Sequence, residues 1–209
     1  MKNGKLPCLK CLPQAGFWFT YWLSEVRNLS FMNLITDQLN QISTAVDHYI
    51  PGHSVDCVIF GFEDQKIKVL ILKLKGINLW SLPGGFILKN QNLDEATKSI
   101  LKQRVSFEDV FLSQFHTFGE LDRQDLDSLQ ELIGDQNKKL LAWLGQRFIT
   151  TTCYFALLNI KSVIPQPDPM SDQCKWVDLN NLPPLYADHK EIINKAFNHI
   201  RIQLNYLPF

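Results

Sequence analysis

The chain lacks an excess of charge of either sign: its 209 residues carry 21 lysines and arginines against 21 aspartates and glutamates, a formal net charge of +0. With no global basic field, neither autonomous DNA binding nor a membrane partner is expected. A long hydrophobic run is missing too. The apolar stretch Gly16-Phe-Trp-Phe-Thr-Tyr-Trp-Leu23 falls far below the roughly 20 residues a span needs. It follows Lys2, Lys5 and Lys10, yet it is aromatic rather than leucine-rich and has no small-x-small cleavage site, which argues against a secretory signal. Cysteine is sparse and odd in number, with Cys8, Cys11, Cys57, Cys153 and Cys174 spread over a chain too large to need disulfide staples. The Cys8-Leu-Lys-Cys11 pair has no second Cys or His pair at zinc spacing, and His116 and His189 stand alone. A reducing, cytoplasmic compartment fits this usage.

What is present is a core. Apolar residues make up 45% of the sequence and charged ones 20%, enough for one domain with extensions. Residues 1–31 read as an N-terminal extension, disordered or lying ahead of a true start at Met32. The domain then runs over 32–209. Leu34, Ile35, Leu39, Ile42 and Val46 recur at helical spacing and predict a helix over about 33–49, ending before Pro51-Gly52. Val55 to Phe62 and Lys66 to Leu74 read as strands joined by Glu63-Asp-Gln65. Leu93, Ala96, Ile100 and Leu101 form an apolar stripe on the next helix, with Asn92 or Asp94 available as its cap. Further strands are expected over Val110–Phe118, Phe148–Leu158 and Lys175–Leu179, with a helical insertion at about 124–145. A closing helix follows, where Asp188 and Glu191 fit a capping box and Ile192, Ile193, Ala196 and Ile200 give the buried face. Strands around a central helix with a second helix on the other side predict an α/β fold, an α/β/α sandwich around a mixed sheet.

Between the second strand and the central helix lies Trp80-Ser-Leu-Pro-Gly-Gly-Phe-Ile-Leu-Lys-Asn-Gln-Asn-Leu-Asp-Glu-Ala-Thr-Lys-Ser-Ile-Leu-Lys-Gln-Arg104. It resembles a Nudix box, in which a Leu-Pro-Gly-Gly turn precedes a helix that presents glutamates to a divalent metal holding a diphosphate. The resemblance implies a Nudix-type sandwich. Counted from Gly85, the places of the motif's conserved residues hold Gln91, Ser99, Ile100, Leu101, Gln103, Arg104 and Ser106, so every metal-binding carboxylate is replaced. Positions 100, 103 and 104 share one helix face, which is neutral to cationic where Mg²⁺ would need carboxylate oxygens. Asp94 and Glu95 sit in the first turn, where acids complement the helix dipole whatever the function. Neither a metal nor another cofactor is expected.

Three further segments, Gln114–Arg123, Arg147–Leu157 and Leu185–Ile192, resemble the Nudix-related transcriptional regulators of NAD metabolism. In that family a degenerate Nudix domain senses ADP-ribose or a related nucleotide sugar, and a winged helix after it binds DNA. The resemblance covers about 33–207 and implies the sensor half without the DNA-binding half; the insertion replaces a short loop of the relatives. It implies a nucleotide-sugar ligand and admits a homodimer. Residue chemistry suggests how the ligand would be held. Backbone N–H groups at Gly84 and Gly85 can approach phosphate closely, while Arg104, Arg123 and Arg147 can supply bidentate contacts. Trp80, Phe86 and Phe118 can stack on or pack around a base. For Trp80 and Phe118 a core role is the competing reading; for Arg123 and Arg147 it is pairing with a carboxylate. Two other functions stay open. One is a weak Mg²⁺-dependent hydrolase of a nucleoside diphosphate linked to another moiety, drawing on Glu108, Asp109 or Glu120; the other is a dimerisation module with no ligand.

Overall fold

The computed structural model describes residues 48–107, 110–120, 150–162, 164–168 and 170–205, with single positions 123, 127, 130 and 142. The chain divides into two units, Met1–Gln41 and Ile42–Phe209, and every described residue belongs to the second. Residues 1–31, positions 33–47 of the helix predicted over about 33–49, nearly all of the 124–145 insertion, Glu108, Asp109 and Arg147 lie outside the described residues.

Among the described residues seven strands and two α-helices follow in order: β1 Tyr49–Glu63, β2 Lys66–Leu74, β3 Trp80–Ser81, β4 Gly84–Leu88, α1 Leu93–Val105, β5 Ser113–Phe118, β6 Thr150–Asn159, β7 Ser171–Asp178 and α2 His189–Asn205. Strand β1 starts at Tyr49, where the sequence suggests the end of a helix. Pro51 disfavours helical backbone at the residue before it, and the β1–β4 pairing absorbs the irregularity as a register shift between Tyr49 and Ser54. The β1–β2 hairpin turns at Asp64 and Gln65, both left-handed with φ of 49° and 62°, the two-residue arrangement that matches strand twist.

Pairing defines the layout. Leu72 pairs with Ser81 on one side and Cys174 on the other, while Val69 pairs with Phe60 and Val177. Strands β1 and β3 therefore lie on the same side of β2. By the same logic β2 and β4 share one side of β1, because β6 occupies the other from His53 to Phe62. So β1 and β2 pair only near their hairpin, over 60–63 and 66–69, and then part. The fork is filled by β3 on β2 and by β4 on β1. Residues Leu82 and Pro83 cross it. Strand β6 runs parallel to β1 and all other pairs are antiparallel, which makes the sheet mixed.

Both sheet faces are buried, so the strands read as nearly continuous apolar runs. On one face Val55, Cys57, Ile59, Leu70, Leu72 and Ile87 pack with Ala96, Ile100, Leu101 and Val105 of α1. On the other, Val58, Phe60, Val69, Ile71 and Phe118 pack with Ile192, Ile193, Ala196 and Ile200 of α2. This is the expected α/β/α sandwich, and the apolar stripes of both helices are those read from the sequence. Helix α1 begins with a capping box: Asn92 Oδ1 accepts from Glu95 N, and Glu95 Oε2 accepts from Asn92 N. It ends at Ser106 in the left-handed conformation. At α2 the Glu191 N–H donates to the Asp188 backbone carbonyl, while the Asp188 carboxylate receives Arg123. Strands β5, β6 and β7 begin at Ser113, Thr150 and Ser171. No helix among the described residues is long and apolar enough to cross a membrane.

Candidate functional site

The turn Leu82-Pro83-Gly84-Gly85 sits at the sheet fork and touches both faces. Gly84 pairs with Asp56, and a Cβ there would fall on the Asp56 carboxylate and 2.9 Å from the Val55 carbonyl oxygen. Glycine is required at this position by close approach rather than by an unusual φ. Gly85 faces the opposite way, and its Cβ would stand 3.2 Å from Ile100 Cγ1. The Pro83 carbonyl accepts from Cys57 N at 2.8 Å and fastens the crossing to β1.

On the α1 side, Ile100 is 7% exposed and its side chain covers the back of Gly85. Arg104 Nη1 donates to Asp168 in the segment before β7, and both side chains are largely buried. Arg104 Nε and Asp168 Oδ1 are buried without a hydrogen-bond partner. Cys174 lies close to this pair, and its thiol is pushed up to about 12 by burial and, next, by the Asp168 charge. Gln103 is exposed and donates to Ser99 Oγ at 3.3 Å. The first-turn acids are engaged: Glu95 caps, and Asp94 Oδ1 accepts from Tyr154 Oη at 3.1 Å. Beyond α1 on this face, His53 bridges two hydroxyls, Thr150 Oγ1 at 2.6 Å and Thr152 Oγ1 at 3.1 Å. Burial lowers its pKa from the ordinary value.

The α2 side carries a buried polar network. Thr151 Oγ1 donates to Asp56 Oδ2 at 2.7 Å, and Asp56 Oδ1 lies 3.8 Å from His189 Nε2. His189 Nδ1 accepts the Leu82 N–H at 2.9 Å. Arg123 grips Asp188 through Nε and Nη2, each at 3.0 Å, with side-chain exposures of 7% and 11%. Burial lowers the pKa of His189, with Asp56 the leading opposing influence.

The expected site residues therefore divide between two faces. Gly85 and Arg104 lie toward α1. Trp80, Phe86, Phe118 and Arg123 lie toward α2, as register and packing place them. Trp80 is half-buried under the Lys175 ammonium, 5.5 Å from its ring centre. Phe86 is half-buried and meets Tyr49 edge-on at 6.3 Å. Phe118 is 1% exposed, enclosed by Phe115, His116 and Lys195. Arg147 lies outside the described residues. Glu120 is exposed and accepts the Gly119 N–H. Among the described residues no three His, Cys, Asp or Glu side chains are grouped to hold a metal ion. A depression of about 460 Å³ lined by Phe62, Glu63, Leu157 and Lys161 lies elsewhere, at the hairpin end of β1. Its distance along β1 from Asp56 is roughly 20 Å at a strand rise of about 3.3 Å.

Sequence reasoning left Asp56, Thr151 and Asp168 unassigned. The signal for Asp56 was available as a lone acid inside the apolar run Val55-Asp-Cys-Val-Ile-Phe60. Asp168 carried none, since it stands in a proline-rich connection.

No family model matches the chain, and no curated protein does. Solved structures match. The NUDIX domain of Shewanella oneidensis NrtR, complexed with ADP ribose, aligns at 23% identity and TM-score 0.57, over 75% of this chain and 97% of that one. A MutT/nudix family protein from Enterococcus faecalis aligns at 21% identity and TM-score 0.59, over 76% of this chain and 65% of that one. The Ap4A hydrolase of C. elegans, solved as a binary complex, aligns at 14% identity and TM-score 0.53, over 73% and 98%. The chain has the Nudix fold, and these neighbours include both an ADP ribose-bound NUDIX domain and an Ap4A hydrolase.

Proposed function

We propose that this chain is a degenerate, catalytically silent Nudix domain that binds a nucleotide sugar such as ADP-ribose and acts as the sensor part of a cytoplasmic regulator of NAD metabolism. The observation that carries this reading is the face α1 turns toward Gly85. It presents the aliphatic Ile100 to Gly85 and, one turn further along the helix, Arg104 paired with Asp168, at positions where a metal-dependent hydrolase needs carboxylates to neutralise phosphate charge. The Nη1 of Arg104 is engaged by Asp168 and its Nε is buried without a partner, so the guanidinium would meet a phosphate oxygen only with a rearrangement of that pair. Gly84 and Gly85 bring backbone close to the ligand, and half-buried Trp80 and Phe86 are the aromatic surfaces for its base. Phe118, being buried, shapes the floor, and Arg123 would reach a ligand only by leaving Asp188. The ADP ribose complex of the Shewanella neighbour supports the ligand class.

The test is a thermal-shift panel of ADP-ribose, NAD and related nucleotides with and without Mg²⁺. At 100 times Kd a ligand adds about 2.7 kcal/mol. A metal-independent shift with ADP-ribose is expected. Mg²⁺-dependent product release abolished by Glu120→Gln would establish the hydrolase reading, and no shift at millimolar ligand would leave a dimerisation module. A gel-shift assay should find no specific DNA binding by this chain alone.

A further inference from the structure

The segment that carries the glycine turn is tied almost residue by residue to the segment leading into α2. Trp80 N donates to the Pro184 carbonyl at 3.0 Å, Tyr186 N donates to the Trp80 carbonyl at 2.7 Å, and Leu82 N donates to His189 Nδ1 at 2.9 Å. The last bond is the closest to the glycines and the only one of the three made by a side chain. Because Nδ1 accepts, the ring proton of neutral His189 resides on Nε2, which faces Asp56 Oδ1. Asp56 in turn lies against the bare Cα of Gly84 and is steadied from β6 by Thr151. The turn is thus held at Leu82 by the imidazole and backed at Gly84 by the carboxylate.

We infer that His189 is the positioning residue of the Gly84-Gly85 turn, coupling the geometry of a phosphate-binding loop to the first turn of α2. This rests on the reading of that turn as the ligand's phosphate seat. The charged groups facing the imidazole are Asp56 from β1 and Arg123 paired with Asp188, and the Tyr186 ring stands 5.5 Å away. Ala187, just before this pair, sits at φ 45°, a left-handed conformation an alanine rarely adopts. The bonds at Trp80 and Leu82 and the Arg123 grip on Asp188 over-determine that conformation. Any shift of the α2 N-terminus moves Nδ1 away from Leu82, so occupancy of the turn and the position of α2 are linked in both directions.

Asparagine tests the assignment, because its side-chain oxygen reaches the place of Nδ1, whereas glutamine reaches that of Nε2. Amide hydrogen exchange would be measured on the full chain for His189→Asn, His189→Gln and His189→Ala, alongside ADP-ribose affinity. Loss of the Leu82 acceptor should speed Leu82 exchange about tenfold in the Gln and Ala variants. The Asn variant should keep wild-type protection, and amides of α1 should not respond. ADP-ribose affinity should follow Leu82 protection, falling about tenfold and recovering with asparagine. If Leu82 exchange is the same in Asn and Gln, or rises only together with that of α1, the positioning role is overturned. If Leu82 responds as expected but no variant, including wild type, binds ADP-ribose, the positioning role stands and the ligand reading falls.

Discussion

The two faces of the Leu82–Gly85 turn are built differently. Toward α1, the face of the motif helix is mostly packing among the described residues: Ile100 covers Gly85, and an ion pair joins Arg104 to Asp168. Toward α2, the turn meets a buried network of Asp56, Thr151, His189, Asp188 and Arg123. The motif helix thus supplies shape, while the closing helix supplies the polar atoms that hold the turn.

The sharpest way to break this comparison is to remove one cation from each face. Arg123→Ala leaves the Asp188 carboxylate buried and uncompensated, for which about 3–5 kcal/mol is expected. Arg104→Ala uncovers Asp168 in the same manner, but that pair is joined by one hydrogen bond where Arg123 and Asp188 share two, so its loss should fall below the Arg123 value. Urea unfolding of both variants checks the order. Equal losses would mean that the α1 pair is as structural as the α2 network.

Next come the glycines. Gly84→Ala drives its methyl against the backbone oxygen of Val55, which cannot move without opening β1, and about 3 kcal/mol or more is expected. Gly85→Ala meets only the Ile100 side chain, so a cost of about 1–2 kcal/mol is expected. Ile100→Val removes Cδ1, which the new Cβ would meet at 3.3 Å, but keeps the Cγ atoms, so it should partly relieve the second variant and leave the first unchanged. Thermal melts of the double mutants read this directly. A rescue of Gly84→Ala by Ile100→Val would show that both glycines face α1.

The helices were the most legible part of the chain. Ile100 and Leu101 in one stripe, and Ile192, Ile193 and Ala196 in the other, follow from periodicity alone, because a helix face repeats within a few residues. The two long hairpin strands were legible for the same local reason. The fork was not. Nothing within Trp80–Leu88 says that β3 joins β2 while β4 joins β1, since that partition depends on strands far away in sequence. The start of β1 at Tyr49 was obscured in the same way, by an apolar helical pattern that runs up to it. As for the site, the Leu-Pro-Gly-Gly turn and Arg104 were readable from a motif, whereas Arg104–Asp168 and Arg123–Asp188 span 64 and 65 residues and no sequence spacing announces them. Asp188 looked like a cap because its neighbours suit one. The bidentate demand of Arg123 claims the carboxylate instead.

The smallest effect separates the faces by pH. His189 has its folded pKa lowered by burial, so the folded state favours the neutral ring. Its contribution is fully present above the unfolded value of 6.5 and is lost as pH falls from there through the lower folded value. His53, on the α1 face, is lowered for the same reason and adds to the same window. Glu63 has its pKa lowered chiefly by its hydrogen bond to Lys68, and it acts only below the ordinary carboxylate value of 4.5. Stability should therefore decline on acidification from pH 6.5 toward 4.5, with a slope of at most about 1.4 kcal/mol per pH unit for each histidine. His189→Asn has no titrating ring but retains an acceptor for Leu82, so subtracting its profile from the wild type isolates the contribution of His189 from those of His53 and His116. A wild-type slope that survives unchanged in this variant would assign the effect to His53 and His116, whose pKa values burial also lowers, and would remove His189 from it.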